Sequence, residues 1–187
     1  MSEPADLVIV GGGTAGIVAA KTAAGLGARV VLVERDRTGG DCLWTGCVPS
    51  KALIAAARAA HVMRSSGHLG VEATEPKVDF GAVMAHVHGA IDRIEPTDSP
   101  RALTESGAVV VHGAAAFTAT DAVRVDEQVL TFRRALVATG SAPALPPVPG
   151  LVDVDPLTSD TVWELTELPR RLVVLGGGPI GCELGQA

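Results

Sequence analysis

The chain has 187 residues, 47% hydrophobic and 19% charged, which is enough apolar surface to bury a sizeable core and excludes disorder for most of it. Its formal charge of −6, from 21 acids and 15 bases spread along the length, leaves no basic stripe and argues against a nucleic-acid partner. The start Met1-Ser2-Glu3-Pro4-Ala5-Asp6 lacks a positive n-region and an apolar core, and no run approaches the roughly 20 apolar residues that span a bilayer, so a cytoplasmic protein with no membrane partner is expected.

Leu7-Val8-Ile9-Val10 reads as a buried strand, followed by a glycine-rich turn, an Ala-rich helix and a second strand at residues 29–33. This βαβ alternation starts a parallel sheet and predicts an α/β, Rossmann-like fold. From Cys47 to about Arg64 strong helix formers follow one another with few interruptions, so a long helix carries Cys47. Residues 65–76 are polar and read as a loop, and residues 80–94 form a second helix with Val83, Val87, Ile91 and Ile94 at core spacing.

After Pro100 the texture changes to short β segments at residues 108–111, 122–125 and 128–132, expected to form a small antiparallel meander. Residues 134–138 return to a buried-strand pattern. Four prolines between Ser141 and Gly150 stiffen a connection and place a first domain at residues 1–148 and a linker with a second domain at 149–187. In the second, a strand at residues 171–175 runs into Gly176-Gly177-Gly178-Pro179-Ile180-Gly181, repeating the opening strand and glycine turn.

Two glycine patterns and a cysteine pair carry chemistry. In the first turn Gly11 permits a tight bend, Gly13 lets the backbone approach a pyrophosphate, and Gly16 lets the helix pack closely on the strand. Glu34, at the end of the second strand, stands where an acid hydrogen-bonds an adenosine ribose and repels a 2′-phosphate, which favours FAD or NAD over NADP.

Cys42 and Cys47 are five residues apart, and in a regular helix that spacing puts Cα atoms roughly 8–9 Å apart, beyond disulfide reach. A bridge therefore needs a broken first turn, which Gly46 suits, while Pro49 suits an early helical position. Both place Cys47 at a helix N-terminus, where the dipole favours a thiolate, with the Lys51 ammonium one turn further in. Zinc is the competing account. It is disfavoured because there is no second cysteine pair, and His61, His68, His86, His88 and His112 lack ligand spacing, so no metal site is expected. Cys182, alone beside the second glycine turn, reads as a small helix residue.

These features resemble the class I pyridine nucleotide-disulfide oxidoreductases, a family that includes dihydrolipoamide dehydrogenase, glutathione-type reductases and mercuric reductase. The resemblance rests on the first glycine motif with Glu34, the Gly39-Gly40-Asp41-Cys42 to Cys47-Val48-Pro49-Ser50-Lys51 block, Ala138-Thr139-Gly140-Ser141, and the second glycine motif. It implies that Gly11, Gly13, Thr14, Ala15, Gly16, Glu34 and Arg35 bind the ADP half of FAD, and that Gly39, Gly40, Asp41, Cys42, Cys47 and Lys51 lie along the flavin. His112-Gly113-Ala114 is similar to the family's adenine-side contact, and Thr139, Gly140 and Ser141 to the turn that closes over FAD. Gly176, Gly178, Pro179, Ile180 and Gly181 would then open an NAD(P)H-binding domain.

The implied reaction carries electrons between NAD(P)H, FAD and the cysteine pair, with Cys47 as the charge-transfer thiol and Cys42 as the thiol that exchanges with substrate. The substrate choices it leaves open are lipoamide, a low-molecular-weight disulfide and Hg2+, and the choice of NADH or NADPH is open too. The resemblance also implies a homodimeric parent.

Asp41 and Trp44-Thr45 depart from the residues many members carry there, and no Cys-x-x-Cys domain precedes the glycine motif. Nothing here matches the family's C-terminal His-Glu pair, so the chain reads as the front portion of a longer enzyme, inactive alone. The alternative is a short flavin-binding redox sensor or interaction module without catalysis.

Overall fold

A computed structural model describes residues 3–187. The fold is mixed α/β, and the chain divides into two compact units, residues 1–43 with 94–142 and residues 44–93 with 143–187.

The first unit is built on a six-stranded sheet. In chain order its elements are β1 (Ala5–Val10), α1 (Thr14–Gly25), β2 (Val30–Glu34), α5 (Pro100–Glu105), β3 (Val109–His112), β4 (Ala115–Ala119), β5 (Ala122–Val125) and β6 (Gln128–Val137). The strand order is β3-β2-β1-β6-β5-β4. β3, β2, β1 and β6 run parallel, and β5 and β4 continue antiparallel from β6.

Alternation along β1 and β2 decides what covers each face. Ile9, Val30 and Leu32 point to one side, where Ile17 and Ala20 of α1, Leu103 of α5 and Ala108 close a buried cluster. Val8 and Val33 point to the other, where Val123 and Val125 of β5 and Phe132 of β6 pack over them. Phe117 meets Phe132 edge to face, with ring centroids 6.0 Å apart. Each such fully buried aliphatic side chain contributes about 1.5–3 kcal/mol of transfer free energy. The meander is therefore a lid on the parallel sheet as well as its extension.

The second unit contains α3 (Cys47–Ser65), most of α4 (Phe80–Asp98) and α6 (Pro179–Gln186). Ala52 of α3, Val87 of α4 and Trp163 form its buried cluster, with Leu53, Ala90, Val162 and Leu184 packed around them. A short helix α2 (Gly40–Trp44) precedes α3 along the chain.

Several sequence expectations change. Residues 108–111 are not part of the meander; β3 pairs parallel with β2, Val31 opposite Val109 and Glu34 opposite His112. The meander's outer strand is β4, which the sequence expectation omits because three of the five residues of Ala115-Ala116-Phe117-Thr118-Ala119 are alanine, a residue depleted in strands. The two segments at 128–132 and 134–138 are one ten-residue strand, antiparallel to β5 in its first half and parallel to β1 in its second.

The sequence reading also missed α5. Ser99 caps it, its Oγ accepting from the Ala102 N–H at 3.2 Å, with Pro100 in the first turn. α4 runs past residue 94 to Asp98, and Ile94 is 43% exposed, while Met84 takes a buried place beside Val87 and Ile91. Residues 171–175 form no strand, and Val173 is 92% exposed. A strand needs a neighbour for its backbone N–H and C=O groups, and no described strand lies beside this segment.

Candidate functional site

The turn between β1 and α1 is shaped by the absence of side chains. Gly11 has φ +109°, and a Cβ there would stand 2.2 Å from the Ala138 carbonyl oxygen. Gly16 sits under the turn, where a Cβ would come within 1.9 Å of the Gly11 oxygen. A bridge between Gly13 and Gly39, with the Gly39 N–H donating to the Gly12 oxygen at 2.9 Å, brings in the segment before α2. A Cβ on Gly40 would lie 2.6 Å from Gly13 Cα, so both positions keep the two backbones in contact.

α1 opens from Gly13, whose backbone is extended and which supplies no side-chain cap. The first intrahelical bond is Ile17 N–H to Gly13 oxygen at 2.9 Å. The N–H groups of Thr14, Ala15 and Gly16 therefore have no acceptor within the helix, and Thr14 and Ala15 are exposed. Free first-turn N–H groups beside a glycine cradle fit the pyrophosphate of a dinucleotide such as FAD.

Glu34, at the end of β2, takes main-chain N–H groups on both carboxylate oxygens. Its Oε2 accepts the Gly12 N–H at 2.5 Å and its Oε1 the Asp36 N–H at 2.8 Å. The Glu34 main-chain oxygen accepts from the Gly113 N–H at 2.8 Å, which brings Gly113 and Ala114 to the end of β2. His112 Nε2 lies 3.0 Å from the Asp36 oxygen, so its ring holds the loop that follows Glu34 and carries Arg35, and Arg35 itself is exposed. Ala138 N–H donates to the Val10 oxygen at 2.8 Å, which sets Thr139, Gly140 and Ser141 at the end of β6, all exposed.

The cysteines sit on successive helices. Asp41 is exposed in the first turn of α2, Cys42 follows it as a half-buried free thiol, and Cys47 is the exposed first residue of α3. The helical break lies at Thr45 and Gly46, ahead of Cys47, and Gly46 has φ −120° and ψ −109°, neither helical nor extended. Cys42 thus occupies a short helix of its own, outside the one that Cys47 begins. Pro49 and Ser50 are buried in the first turn of α3, and Ser50 N–H donates to the Gly46 oxygen at 3.0 Å. Lys51 is exposed and pairs with Glu183 of α6 at 3.3 Å.

The second glycine motif repeats the backbone of the first. Gly176 has φ +104°, matching Gly11, and Gly178 opens α6 as Gly13 opens α1, with extended backbone and no side-chain cap. Cys182 N–H donates to the Gly178 oxygen at 3.0 Å. The closure is looser, since a Cβ on Gly181 would stand 3.5 Å from the Gly176 oxygen and 2.9 Å from Val174 Cγ1. Pro179 and Ile180 begin the helix and are exposed.

Sequence reasoning missed Gly12 as a hydrogen-bond donor to Glu34 and Thr38 as a buried neighbour of that glycine. It also missed Trp163, which the structure brings to the backbone of Thr45. A large aromatic residue with a polar edge, one of two tryptophans in the chain, was the available signal. Among the described residues no His, Cys, Asp and Glu group is arranged to hold a metal ion, and no helix is long and apolar enough to cross a membrane.

The family model described as pyridine nucleotide-disulphide oxidoreductase matches residues 5–187. The chain is 42% identical over 187 residues to a mercuric reductase of Streptomyces lividans, covering 97% of this chain and 40% of that protein. It is 38% identical to a mercuric reductase of Shigella flexneri, covering 97% of this chain and 33% of that protein. Among solved structures, the HOCl-induced flavoprotein disulfide reductase RclA from Escherichia coli superposes with a TM-score of 0.77 at 27% identity, over 96% of this chain and 38% of that one. The chain thus spans about 40% or less of the length of these relatives.

Proposed function

Because the chain belongs to the pyridine nucleotide-disulphide oxidoreductase family, we propose that it is the FAD-binding, dithiol-bearing portion of an enzyme that passes electrons between NAD(P)H, flavin and the Cys42/Cys47 pair. From that pair they go to a small-molecule disulfide or to Hg2+. Members of the family use FAD and NAD(P)H. The observation that carries the reading is Cys47 as first residue of a 19-residue helix, in the same chain as an uncapped, glycine-cradled α1.

In this reading Gly11, Gly13, Thr14, Ala15 and Gly16 hold the FAD pyrophosphate, and Glu34 and Arg35 lie at the adenosine end. Gly113 and Ala114 line the adenine side, Gly39, Gly40 and Asp41 the flavin, and Thr139, Gly140 and Ser141 close the site. Bound flavin supplies a two-electron relay between a hydride and a dithiol. The N-terminus of α3 keeps Cys47 as thiolate, Cys42 is the sulfur that exchanges with substrate, and the Lys51 ammonium balances negative charge beside them.

Oxidising the two thiols to a disulfide releases two electrons and two protons. Those electrons cleave a substrate disulfide into two thiols, or take Hg2+ to the neutral metal. The mercuric reductase relatives support Hg2+ as a substrate. Gly176, Gly178, Pro179, Ile180 and Gly181 would hold the NAD(P)H pyrophosphate in the domain that begins at residue 149. The parent is a cytoplasmic homodimer, and turnover belongs to it, the present residues alone supplying binding and thiol chemistry.

The test is a flavin titration of the 187-residue chain, followed by assays of the full-length protein with NADH and NADPH against Hg2+ and a disulfide. Stoichiometric FAD and loss of both reductions in Cys42→Ser are expected. A full-length protein without flavin, or undiminished turnover in that variant, overturns the assignment.

A further inference from the structure

We propose that Trp163 is a positioning residue for the dithiol: its indole N–H holds the Thr45 carbonyl, and with it the helical break from which Cys47 is presented. The inference rests on the reading of Cys42 and Cys47 as a redox pair. It adds to that reading a residue far along the chain which governs the reactivity of one of the two sulfurs.

Trp163 lies in a three-residue 3-10 helix, Val162–Glu164, in a stretch that is otherwise largely exposed, yet it is only 5% exposed itself. Ala52 of α3 and Val87 of α4 pack on it, and its main-chain oxygen stands 3.1 Å from His88 Nε2. The side chain is therefore packed between two helices while His88 holds its backbone. Its single polar atom, Nε1, donates to two carbonyls: Ser159 oxygen at 2.8 Å and Thr45 oxygen at 3.0 Å, the latter 118 residues away in sequence.

A buried tryptophan needs one acceptor for its N–H, and Ser159 in its own turn already supplies it. The contact with Thr45 is therefore more than satisfaction of the indole. Thr45 follows the last residue of α2, where main-chain oxygens have no partner within the helix. Its carbonyl belongs to the peptide plane shared with Gly46, and rotation of that plane sets the backbone angles of Gly46 and so the direction in which α3 begins. A glycine at the break resists such rotation least. Ser50 N–H to Gly46 oxygen and Ser50 Oγ to Cys47 oxygen, at 3.0 and 3.3 Å, then carry the orientation into the first turn of α3.

With the plane released, the first turn of α3 frays and the dipole that favours the Cys47 thiolate weakens. The test uses the 187-residue chain carrying Trp163→Phe, which keeps an apolar ring and removes the donor. A second version replaces Trp163 by its benzothienyl isostere, in which sulfur stands for the N–H and the shape is retained. Iodoacetamide labelling of each cysteine is followed by peptide mass spectrometry at neutral pH. The Cys42/Cys47 couple is equilibrated with oxidised and reduced dithiothreitol, the two thiols passing two electrons and two protons to the oxidised reagent.

Cys47 labelling should slow about threefold to tenfold in both versions, the dithiol–disulfide equilibrium should move by at least about threefold with it, and Cys182 should label at its original rate. Unchanged Cys47 labelling and equilibrium in the folded isostere overturn the role of Trp163. An unmodified chain whose two cysteines form no disulfide at any ratio of the reagent overturns the dithiol reading itself, a result distinct from the first.

Discussion

The Gly12 N–H donates to the Glu34 carboxylate at 2.5 Å, while the other carboxylate oxygen accepts from Asp36, so one side chain ties the turn after β1 to the loop after β2. Glu34 thereby fixes the glycine turn that the proposed reading gives to FAD. Hydrogen bonds to a charged acceptor are worth about 1.5–3 kcal/mol. Glu34→Ala should lower unfolding stability in urea by roughly that amount and weaken FAD binding by at least about tenfold. Equal stability and equal FAD affinity in the variant would show that the carboxylate is a bystander.

Gly16 and Gly25 lie on the same helix in opposite circumstances. A methyl group on Gly16 would press on the Gly11 oxygen, whereas one on Gly25 would meet nothing within 4 Å. Gly16→Ala should cost about 1–3 kcal/mol or more through overpacking and abolish FAD retention. Gly25→Ala should stabilise by about 0.4–1 kcal/mol through the unfolded chain. Thermal melts of the pair check the contrast, and a Gly16→Ala protein as stable as the Gly25→Ala one would sink it.

Leu103 is completely buried and joins α5 to Ile9, Ile17 and Leu32. Leu103→Ala should cost about 2–5 kcal/mol, as cavities at fully packed positions do. Denaturant titration measures it, and a loss below about 1 kcal/mol would mean that α5 is a surface appendage and not part of the core.

Asp6 accepts the Arg29 N–H at 2.9 Å and faces the Arg29 and Arg133 guanidinium groups at 3.5 and 3.6 Å. The backbone hydrogen bond from Arg29, helped by the two guanidinium charges, lowers its pKa below the ordinary carboxylate value. A carboxyl lowered on folding contributes stability above its unfolded pKa, and that contribution is lost as pH falls through the folded one. Asp6→Asn should therefore be less stable than the parent at neutral pH and converge with it on strong acidification. Melting both proteins across the acid range tests this, and a gap that widens with acid would reverse the sign. Because the guanidinium partners are exposed, added salt should narrow the neutral-pH gap.

The glycine turn, the first two strands and the helix from Cys47 were legible because their signals are local. Apolar periodicity and glycine spacing act over a few residues, and α3 begins at Cys47 as Gly46 and Pro49 suggested. Residues 108–111 were misplaced because an apolar β segment does not state its partner. Val109 to His112 have the same texture as the meander strands, and only the burial of Val31 and Val33 beside them selects a parallel edge place. Residues 171–175 show the converse, a strand pattern in sequence that stays unladdered where no described strand lies alongside.

Sequence alone determined the local patterns: two glycine-rich turns, each ahead of a helix, and two cysteines five residues apart, the second at the head of a long helix. Those depend on residue type and on spacing along the chain, and both survive in one dimension. The tertiary structure decided which distant groups tie those segments together. The Gly12 bond to Glu34, the His112 contact with Asp36 and the Trp163 contact with Thr45 join residues 22, 76 and 118 positions apart. No local preference encodes such contacts, because a hydrogen bond between distant residues forms only after burial of the core has brought them within reach.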